Sequence, residues 1–598
     1  IIMLSKQWKI GAFWGLTFLL VCFFLQSFAI YLFERQEEAQ LFIPKWYFMK
    51  EILCSPGGFS NLTALFLVQF YQNSLFASLL ISSLLTGIGY LFYRILQTIA
   101  QRGYHLLFAL IPVCGLIKMH IRLNYVLDGT ICLFLMMVCW FVFIQIRKKS
   151  GLLIYSIIST IVLYLLAGQI VILYAFLMFL SVFVFSIHKW PYLLVPIAIA
   201  VVLTFLDIYY WHAIPVTEGI YSEAYHETQL LPESYMYYVW LRFVLALACI
   251  VVSGYIMKRI KWEKRRTKVL VTSVVTFLVV YIAGYCLPDQ FDVQNRMADK
   301  LLSLKQKKDW NAIIEMHQGK SVNNYISLNF LNMALAEKGV LGDRLFFFDQ
   351  KSSQGLIAEW NRTFYMSEML SDIHYMLGDL SLSEGYAMEG FSLAKRKGSP
   401  RMMQRLVQIN LLKGETRLAE KYLNRLADMP FYNAWATKYK GYLDHPESMI
   451  GDKEFPSSKI YSSKTPGLLC LITQDSIWQS SVNDSITNQK AFEYLGCSYL
   501  LDKRMDDFYT LIDAITQGSH YVPLPDHFQE AVLLLGQKHP DLLQKVEIKP
   551  QIAQRFNQFN EHNEMVQNDE NKLFALFQMY GNTFWFYYYH KHLKNEVL

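Results

Sequence analysis

The chain has 598 residues, of which 54% are hydrophobic and only 17% are charged. This composition is too apolar for an ordinary soluble protein and predicts a membrane protein. The formal net charge of +7 would suit nucleic-acid binding, but many of the basic residues lie in short loops between apolar runs. Membrane topology explains them there, so no nucleic-acid partner is predicted.

The first half of the chain contains nine apolar runs, and a membrane-spanning helix requires about 20 apolar residues. The runs cover residues 10–33, 74–92, 105–116, 126–146, 152–166, 170–187, 192–210, 237–257 and 269–286. The third run is short and contains Pro112, which predicts a broken or re-entrant helix. Only Ala167, Gly168 and Gln169 separate the fifth run from the sixth, which predicts a tight turn or a kink. The sequence therefore predicts a bundle of about nine spans in the lipid bilayer.

Basic residues in the loops orient these spans, because Lys and Arg are retained on the cytoplasmic side. The densest cluster, residues 258–268, has seven Lys or Arg in eleven positions. With a cytoplasmic N-terminus, every strong basic cluster falls in a cytoplasmic segment. The last span then carries all residues after 287 across the membrane. This topology predicts a protein of the bacterial inner membrane whose C-terminal half lies in the periplasm.

The loop between the first two spans, residues 34–73, is here named the first loop, and it is predicted to face outward. It carries four glutamates, Glu34, Glu37, Glu38 and Glu51, followed by the turn residues Pro56, Gly57 and Gly58. Residues 41–72 include an amphipathic helix that we expect to lie in the membrane interface, where Phe and Tyr side chains are favoured.

Further ionisable residues lie near the predicted outer ends of the spans. They are Lys118, His120, Arg122, Asp128, Asp207 and Arg242. Ionisable groups near or within spans are costly and usually face a cavity or a partner, so they are candidates for function. We predict that all of them except Lys118 converge on one outward-opening cavity beneath the first loop. The alternative is a set of acid–base pairs that only fasten helices together.

Residues 291–598 are mixed in polarity and helix-periodic. The sequence therefore predicts a membrane domain, residues 1–290, and a soluble helical domain, residues 291–598. Three glycines in similar turn sequences, Gly342, Gly378 and Gly414, recur every 36 residues. This period resembles that of degenerate tetratricopeptide repeats. The resemblance implies an all-α fold in which helix pairs stack into a solenoid, with a protein partner on the repeat face.

Three segments carry a resemblance that extends over the whole chain. They are PGGFSNLTALFLVQFYQ at 56–72, PLPDHFQEAVLLLG at 523–536 and YGNTFWFYYYH at 580–590. The chain is similar to an uncharacterised family of polytopic inner-membrane proteins from Bacteroides-type bacteria. The resemblance implies the membrane architecture and the location. It implies no active site, because the family is known only as a domain of unknown function.

Sequence motifs for nucleotide hydrolysis, dinucleotide binding and zinc proteolysis do not occur in a suitable context. No cofactor and no metal site is predicted. Cys470 and Cys497 are the two cysteines of the C-terminal half, and the sequence leaves open whether they form a disulfide or stay as two buried thiols.

The sequence slightly favours a binding or assembly protein in which a membrane anchor presents the helical domain. The alternative is an enzyme that resembles the polytopic glycosyltransferases with lipid-linked sugar donors, which also carry acidic residues in a large first outer loop. Its candidate catalytic residues are Glu34, Glu37, Glu38, Glu51, Asp128 and Asp207, and its candidate binding residues for a lipid phosphate are Lys118, His120, Arg122 and Arg242. The first loop departs from that pattern because it contains no Asp. Transport has the least support, because the spans do not form two matched halves.

Overall fold

The computed structural model describes residues 2–100, 103–185, 194–211, 216, 225, 235–259, 265–284, 288–322, 324–394, 398–449, 451–452, 454–455, 488–517, 523–566 and 570–591. Within these residues the chain is helical, and no β-strand is assigned. The chain divides into two compact units. The first unit contains Ile1–Arg296, Lys395–Lys397 and Ala427–Asn433, and the second contains Met297–Ala394, Gly398–Leu426 and Ala434–Leu598.

The first unit is built from long apolar helices and a few short ones. The helices are α1 (Ile2–Phe28), α2 (Ile30–Glu38), α3 (Trp46–Leu53), α4 (Gly58–Val68), α5 (Ser74–Ile99), α6 (His105–His120), α7 (Asp128–Gln145), α8 (Lys149–Ala167), α9 (Val171–Phe185), α10 (Leu194–Leu206), α11 (Leu241–Arg259) and α12 (Arg265–Gly284). Short 3₁₀ turns cover Gln69–Gln72 and Gly168–Ile170, and π-helical turns cover Asp207–Trp211 and Met236–Trp240. The chain passes from the first unit to the second within α13 (Gln290–Gln306).

The second unit consists of shorter amphipathic helices. They are α14 (Trp310–His317), α15 (Tyr325–Glu337), α16 (Leu341–Arg344), α17 (Phe364–Leu377), α18 (Leu380–Leu393), α19 (Pro400–Lys413), α20 (Thr416–Ala427), α21 (Asn433–Asp444), α22 (Gln489–Leu501), α23 (Met505–Gln517), α24 (Asp526–Leu535), α25 (Pro540–Lys545), α26 (Pro550–Glu564), α27 (Glu570–Tyr580) and α28 (Phe584–His590). Cys497 is buried in α22, and Cys470 lies outside the described residues, as do 260–264 of the basic cluster.

Six segments of the described chain are long and apolar enough to cross a membrane. They are Gln7–Phe28, Ser74–Ile99, Asp128–Gln145, Ser150–Val182, Leu194–Trp211 and Met236–Met257. Two further predicted spans correspond to the shorter apolar helices His105–His120 and Val271–Tyr281. The predicted fifth and sixth spans share the segment Ser150–Val182, which Gly168 divides into two helices with a φ of +65°. Several apolar helices thus indicate a membrane protein, and nine crossings stay a prediction.

Helix α5 lies in the apolar core of the first unit. Its residues Ile81, Leu85, Ile88 and Phe92 have no exposed surface. They recur at helical spacing, so one stripe of α5 faces the core. Many other apolar side chains of this unit, such as Phe23 and Phe277, are exposed, as expected where a helix faces lipid.

The sequence Pro56-Gly57-Gly58 fixes the first loop against the end of α8. The N–H of Gly57 donates to the carbonyl of Leu165 at 3.2 Å, and the Ser60 hydroxyl donates to the carbonyl of Leu166 at 2.7 Å. Gly57 has a φ of +73°, and an added Cβ there would lie 3.2 Å from the backbone of Ala167. Only glycine combines this conformation with so close an approach.

Two of the three predicted glycine turns join helix pairs in the second unit. Gly378 ends α17 and Gly414 ends α19, both in the left-handed conformation. Gly342 differs, because it lies inside α16, where its N–H donates to Glu493 and an added Cβ would lie 2.5 Å from Pro525. Glycine is required at position 342 by close packing and not by a turn. The regular solenoid accordingly stays a prediction.

The two C-terminal segments that carry the family resemblance pack on each other. Glu530 accepts hydrogen bonds from the Phe584 N–H at 2.7 Å and from His527 Nδ1 at 2.9 Å. The carbonyl of Glu530 accepts from the Trp585 indole at 2.8 Å. Phe584, Trp585 and Tyr587 are buried, so the aromatic run of α28 fills the core of the second unit.

Candidate functional site

Glu37 is the buried carboxyl of the first loop. The chain bends at Ala29, between α1 and α2, and α2 then buries Leu32, Phe33, Gln36 and Glu37. Glu37 keeps only 1% of its surface exposed. A carboxyl at such a position must shed its charge or find partners, because burying a lone charge is costly.

The partners of Glu37 are neutral. Its Oε2 accepts a hydrogen bond from the Tyr432 hydroxyl at 2.9 Å, and Gln72 also donates to its side chain. The pKa of Glu37 is raised to about 8, mainly by burial and also by the charges of Glu38 and Glu34, while the hydrogen bonds from Tyr432 and Gln72 oppose the rise. Glu37 therefore titrates close to neutral pH.

Several amides surround Glu37 in the contact between α2 and the turn Gln69–Gln72. Gln40 Nε2 donates to the carbonyl of Gln36 at 3.0 Å, and Gln69 Nε2 donates to the carbonyl of Leu65 at 3.3 Å. These bonds fix the amide orientations, so both Oε1 atoms are acceptors. Within the described part of the chain, the Oε1 atoms of Glu37, Gln40 and Gln69 and the Tyr71 hydroxyl have no hydrogen-bond partner. Such a group of buried oxygens indicates a site that binds hydrogen-bond donors.

The other three glutamates of the first loop have different surroundings. Glu34 and Glu38 lie on α2 with Glu37 and are half-buried, whereas Glu51 is exposed on α3. Glu34, Glu37 and Glu38 thus share α2, whereas Glu51 lies on a different helix. Of the predicted catalytic carboxyls in this loop, Glu37 has the environment that a proton-transfer group requires.

Lys118 and Arg122, predicted to bind a lipid phosphate, are bound by two carboxylates that follow α12. Lys118 Nζ lies 2.5 Å from Asp292 and 3.2 Å from Asp289, and Arg122 lies 2.8 Å from each of them. Asp292 is buried and Asp289 is half exposed. Burial opposes ionisation of Asp289, but hydrogen bonds from the Asp292 N–H and Lys118, with the charge of Arg122, hold its pKa at about 2. This ion-pair cluster ties the start of α13 to the end of α6.

His120 and Asp128 lie in a buried polar cluster around the connection between α6 and α7. His120 Nε2 and the Tyr125 hydroxyl both contact the Thr130 hydroxyl, at 2.8 and 2.9 Å. Asp128 Oδ1 accepts from the N–H of Gly129 at 3.0 Å, and its position in the first turn of α7 is favourable for a negative charge.

Asp207 and Arg242 occupy other parts of the first unit. Asp207 accepts a hydrogen bond from Gln169 at 3.1 Å and another from Tyr164, so it fastens α10 to the turn between α8 and α9. Arg242 packs beside Gly115, where an added Cβ would lie 2.5 Å from its Cδ. The described contacts therefore divide the ionisable residues that were predicted to share one cavity into several groups. A single shared cavity stays a prediction.

Sequence reasoning missed Asp289, Asp292 and Tyr432. The acids follow the last apolar run in the sequence LPDQFD, and their position next to a span end was the available signal. Tyr432 lies 395 residues from Glu37 along the chain, and no local pattern connects two residues so far apart.

Comparison with known proteins gives a family and no named activity. No curated protein and no solved structure matches the chain at a significant level. One family model, described as a family of unknown function, DUF6057, matches residues 6–591. Because this match covers nearly the whole chain, the protein belongs to the family DUF6057.

Proposed function

We propose that the protein is a multi-pass enzyme of the bacterial inner membrane and that Glu37 is the acid–base residue of a site on its outer face. The proposed reaction is transfer of a sugar from a lipid-linked donor to an acceptor hydroxyl. In this proposal the N-terminus is cytoplasmic and the second unit is periplasmic. The observation that carries the proposal is a buried carboxyl with a pKa of about 8 and neutral hydrogen-bond donors.

A carboxyl that titrates near the working pH suits proton transfer, because both of its forms are then accessible. A structural carboxylate in a membrane protein is usually held by a cation, as Asp292 is held by Lys118. Glu37 instead accepts from Tyr432 and Gln72. This difference supports a chemical role for Glu37.

In the proposed step one proton is transferred, one C–O bond forms and one C–O bond breaks. Ionised Glu37 takes the proton of the acceptor hydroxyl, and the hydroxyl oxygen bonds to the anomeric carbon of the donor sugar. The bond from that carbon to the phosphate oxygen breaks, and the lipid phosphate leaves with its electron pair. We propose that this phosphate displaces the half-exposed Asp289 from Lys118 and Arg122, because guanidinium and ammonium groups bind phosphate strongly.

The test replaces one carboxyl in cells that lack the native copy. We expect Glu37→Gln to reduce incorporation of labelled sugar into envelope glycans to the level of cells without the protein. The matched control is Glu51→Gln, which changes an exposed carboxyl of the same loop and should keep wild-type incorporation. Wild-type glycans in Glu37→Gln cells, with the protein present at its normal level, would contradict the proposal.

A second candidate function is binding of an envelope protein by the second unit, and an open groove between α26 and α27 favours it. Apolar residues, among them Met565, Leu576 and Met579, line the groove together with Glu561, His562, Glu564 and Lys572. Phe574 and Phe577 are more than half exposed beside it. An exposed apolar patch of this kind is typical of a surface that docks a partner. The proposed occupant is the apolar face of a partner helix, since helix pairs present grooves of that form.

A photo-crosslinking amino acid in place of Phe577 tests this second candidate. We expect one defined protein adduct in intact cells, and we expect Ala575→Glu, within the groove, to remove it. The same amino acid in place of Leu418, an exposed apolar residue of α20, is the control and should give no adduct. Equal labelling from both positions would exclude a specific docking groove.

A further inference from the structure

The segment Ala427–Asn433 belongs to the first unit although the flanking residues of α20 and α21 belong to the second. Its sequence is ADMPFYN. The side chain of Asn433 donates to the carbonyl of Ala427 at 3.0 Å, so the segment is a short loop whose ends are tied together. Such a loop presents its central side chains in a fixed arrangement.

Three contacts of different chemistry hold this segment on the first loop. Tyr432 donates to Glu37 at 2.9 Å. Asp428 lies 3.2 Å from Lys45, and the rings of Phe431 and Phe70 meet edge to face with centroids 5.4 Å apart. The ion pair is half exposed on both sides and contributes little. The hydrogen bond from Tyr432 by itself favours ionised Glu37, but burial, the largest cause of the pKa shift, favours the neutral acid more strongly. Closure over Glu37 is therefore the step that depends on protonation.

We propose that the segment Ala427–Asn433 is a lid over Glu37 that closes when Glu37 is protonated and opens when it ionises. This inference rests on the proposed function, because it concerns the regulation of the same site. Closed, the lid keeps Glu37 as a neutral acid away from water. Open, it exposes a carboxylate that is able to accept a proton from a substrate hydroxyl.

Buried oxygens after α2 and in the turn Gln69–Gln72, which contacts Glu37 through Gln72, indicate what enters when the lid opens. The amide Oε1 atoms of Gln40 and Gln69 can only accept hydrogen bonds, and within the described residues neither has a partner. The hydroxyl of Tyr71, a buried residue in the same turn as Gln69, also has no partner among the described residues. Hydroxyl groups of a sugar or another polyol supply the donors that such oxygens require. The class of ligand expected at this place is therefore polyhydroxylic and uncharged.

The direction of the pH effect follows from the groups that face Glu37. On α2 these are Glu34, Arg35 and Glu38, and on the lid they are Tyr432 and the Asp428 that pairs with Lys45. Within 10–28 and 74–89, helices α1 and α5 carry no Asp, Glu, Lys, Arg, His or Tyr, and Cys22 on α1 is their one titratable residue. In the connection between α6 and α7, which contacts Gln36 through the Tyr125 carbonyl, Arg122 is bound by Asp289 and Asp292.

Burial holds the pKa of Glu37 at about 8 in the closed form, against an ordinary value of 4.5. When closure raises the pKa of a group, protonation of that group stabilises the closed form. This stabilisation is complete at pH values below the ordinary pKa of the group. The preference is lost as the pH rises toward the raised value. The ratio of closed to open molecules should therefore fall by up to about tenfold per pH unit across this window and level off above it.

The test places benzoylphenylalanine at Phe431 in the full-length protein and measures its photo-crosslink to the first loop by peptide mass spectrometry. We expect a strong adduct with the Phe70 peptide at pH 5.5 and a weak one at pH 8.5. Glu37→Gln should give a strong adduct at both pH values, and Glu51→Gln should keep the wild-type dependence. Tyr432→Phe should weaken the adduct at both. Placing the same amino acid at Phe70 repeats the measurement from the other side if the first variant does not fold.

An adduct that is independent of pH in the wild-type background would overturn the lid. So would a pH dependence that persists in Glu37→Gln. These outcomes are separate from failure of the proposed function. Loss of sugar transfer in Glu37→Gln without a pH-dependent adduct would leave an enzyme without a lid, and the reverse result would leave a lid without this enzyme.

Discussion

Two buried carboxyls, Glu37 in the first unit and Asp372 in the second, have opposite surroundings. Asp372 on α17 binds Lys305 and Arg405 and lies 3.3 Å from Arg401. Burial opposes its ionisation, but the three cations hold its pKa well below the usual range. Among the described residues the donors to Glu37 are the neutral Tyr432 and Gln72, and its pKa is raised to about 8. The comparison shows that burial alone does not set the charge of a carboxyl, because its partners decide whether the charged form survives.

The two carboxyls should therefore respond to pH in opposite directions. Asp372 has a lowered pKa, so its contribution is present above the ordinary value of 3.8 and is lost as the pH falls below that value. Glu37 has a raised pKa, so its contribution is present below 4.5 and is lost as the pH rises toward 8. Asp372 is a structural ion of the second unit, and Glu37 is free to change its charge near neutral pH.

The largest effect is expected from Asp372→Asn. This change leaves Lys305, Arg401 and Arg405 without their shared carboxylate, and all three are largely buried. Removing one partner of a buried ion pair costs about 3–5 kcal/mol, and the upper end applies because three cations are affected. Chemical denaturation of the full chain in detergent measures the loss. Glu420→Gln, at an exposed position of α20, should change the free energy of unfolding by less than about 0.5 kcal/mol.

Asp292→Asn should cost about 3 kcal/mol, somewhat less than the change at Asp372. Asp292 is fully buried between Lys118 and Arg122, but Asp289 still pairs with both cations. The matched control is Asp289→Asn, which removes the half-exposed acid of the same cluster and should cost about 1 kcal/mol or less. Equal effects of the two changes on the thermal unfolding of the first unit would show that the cluster is not organised around Asp292.

Glu37→Gln should be nearly neutral at pH 5 and stabilising at pH 8. Wild-type Glu37 is protonated when buried at pH 5, and its glutamine replacement keeps the shape and the hydrogen bond from Tyr432. At pH 8 the unfolded wild-type chain ionises this residue while the folded form resists, so only the wild type loses stability. We expect a difference of roughly 2–3 kcal/mol between the two pH values, measured by denaturation at each pH. A constant difference would place Glu37 in contact with water or a cation.

Gly57→Ala should have the smallest effect, about 1–2 kcal/mol, because the residue has a φ of +73° and little room near Ala167. Gly11→Ala on α1 is the control, since nothing lies within 4 Å of an added Cβ there. The control should be neutral or slightly stabilising. A larger loss of sugar transfer than of stability in Gly57→Ala would indicate that the first loop positions the site beside α8.

Periodicity and apolar length predict the helices of this chain well, because each of these signals is local. Apolar runs identified the long helices of the first unit, and glycine identified the turns at Gly378 and Gly414. Gly342 was predicted to lie at a turn, but glycine is required there for close packing against Pro525. The sequence alone does not distinguish these two reasons for a glycine.

The charged partners could not be predicted, because they join residues that are remote in sequence. Lys118 pairs with Asp289 across 171 positions, and Tyr432 reaches Glu37 across 395. Sequence position predicted Glu37 only as one of four glutamates in the first loop. What distinguishes it from Glu51 is burial, which follows from the packing of α2 against the turn Gln69–Gln72 and the lid. Lys118 and Arg122 pair with Asp289 and Asp292, and the shared cavity predicted to include Arg122 stays a prediction.

The central claim is that Glu37 stays protonated at neutral pH in the folded protein. Infrared difference spectroscopy of wild type against Glu37→Gln, recorded through a pH titration in detergent or lipid, measures it directly. The account predicts a protonated carboxyl band that the glutamine variant lacks and that disappears with a midpoint near pH 8. A band that is already absent at pH 6 would contradict the account, because Glu37 would then be an ordinary ionised glutamate.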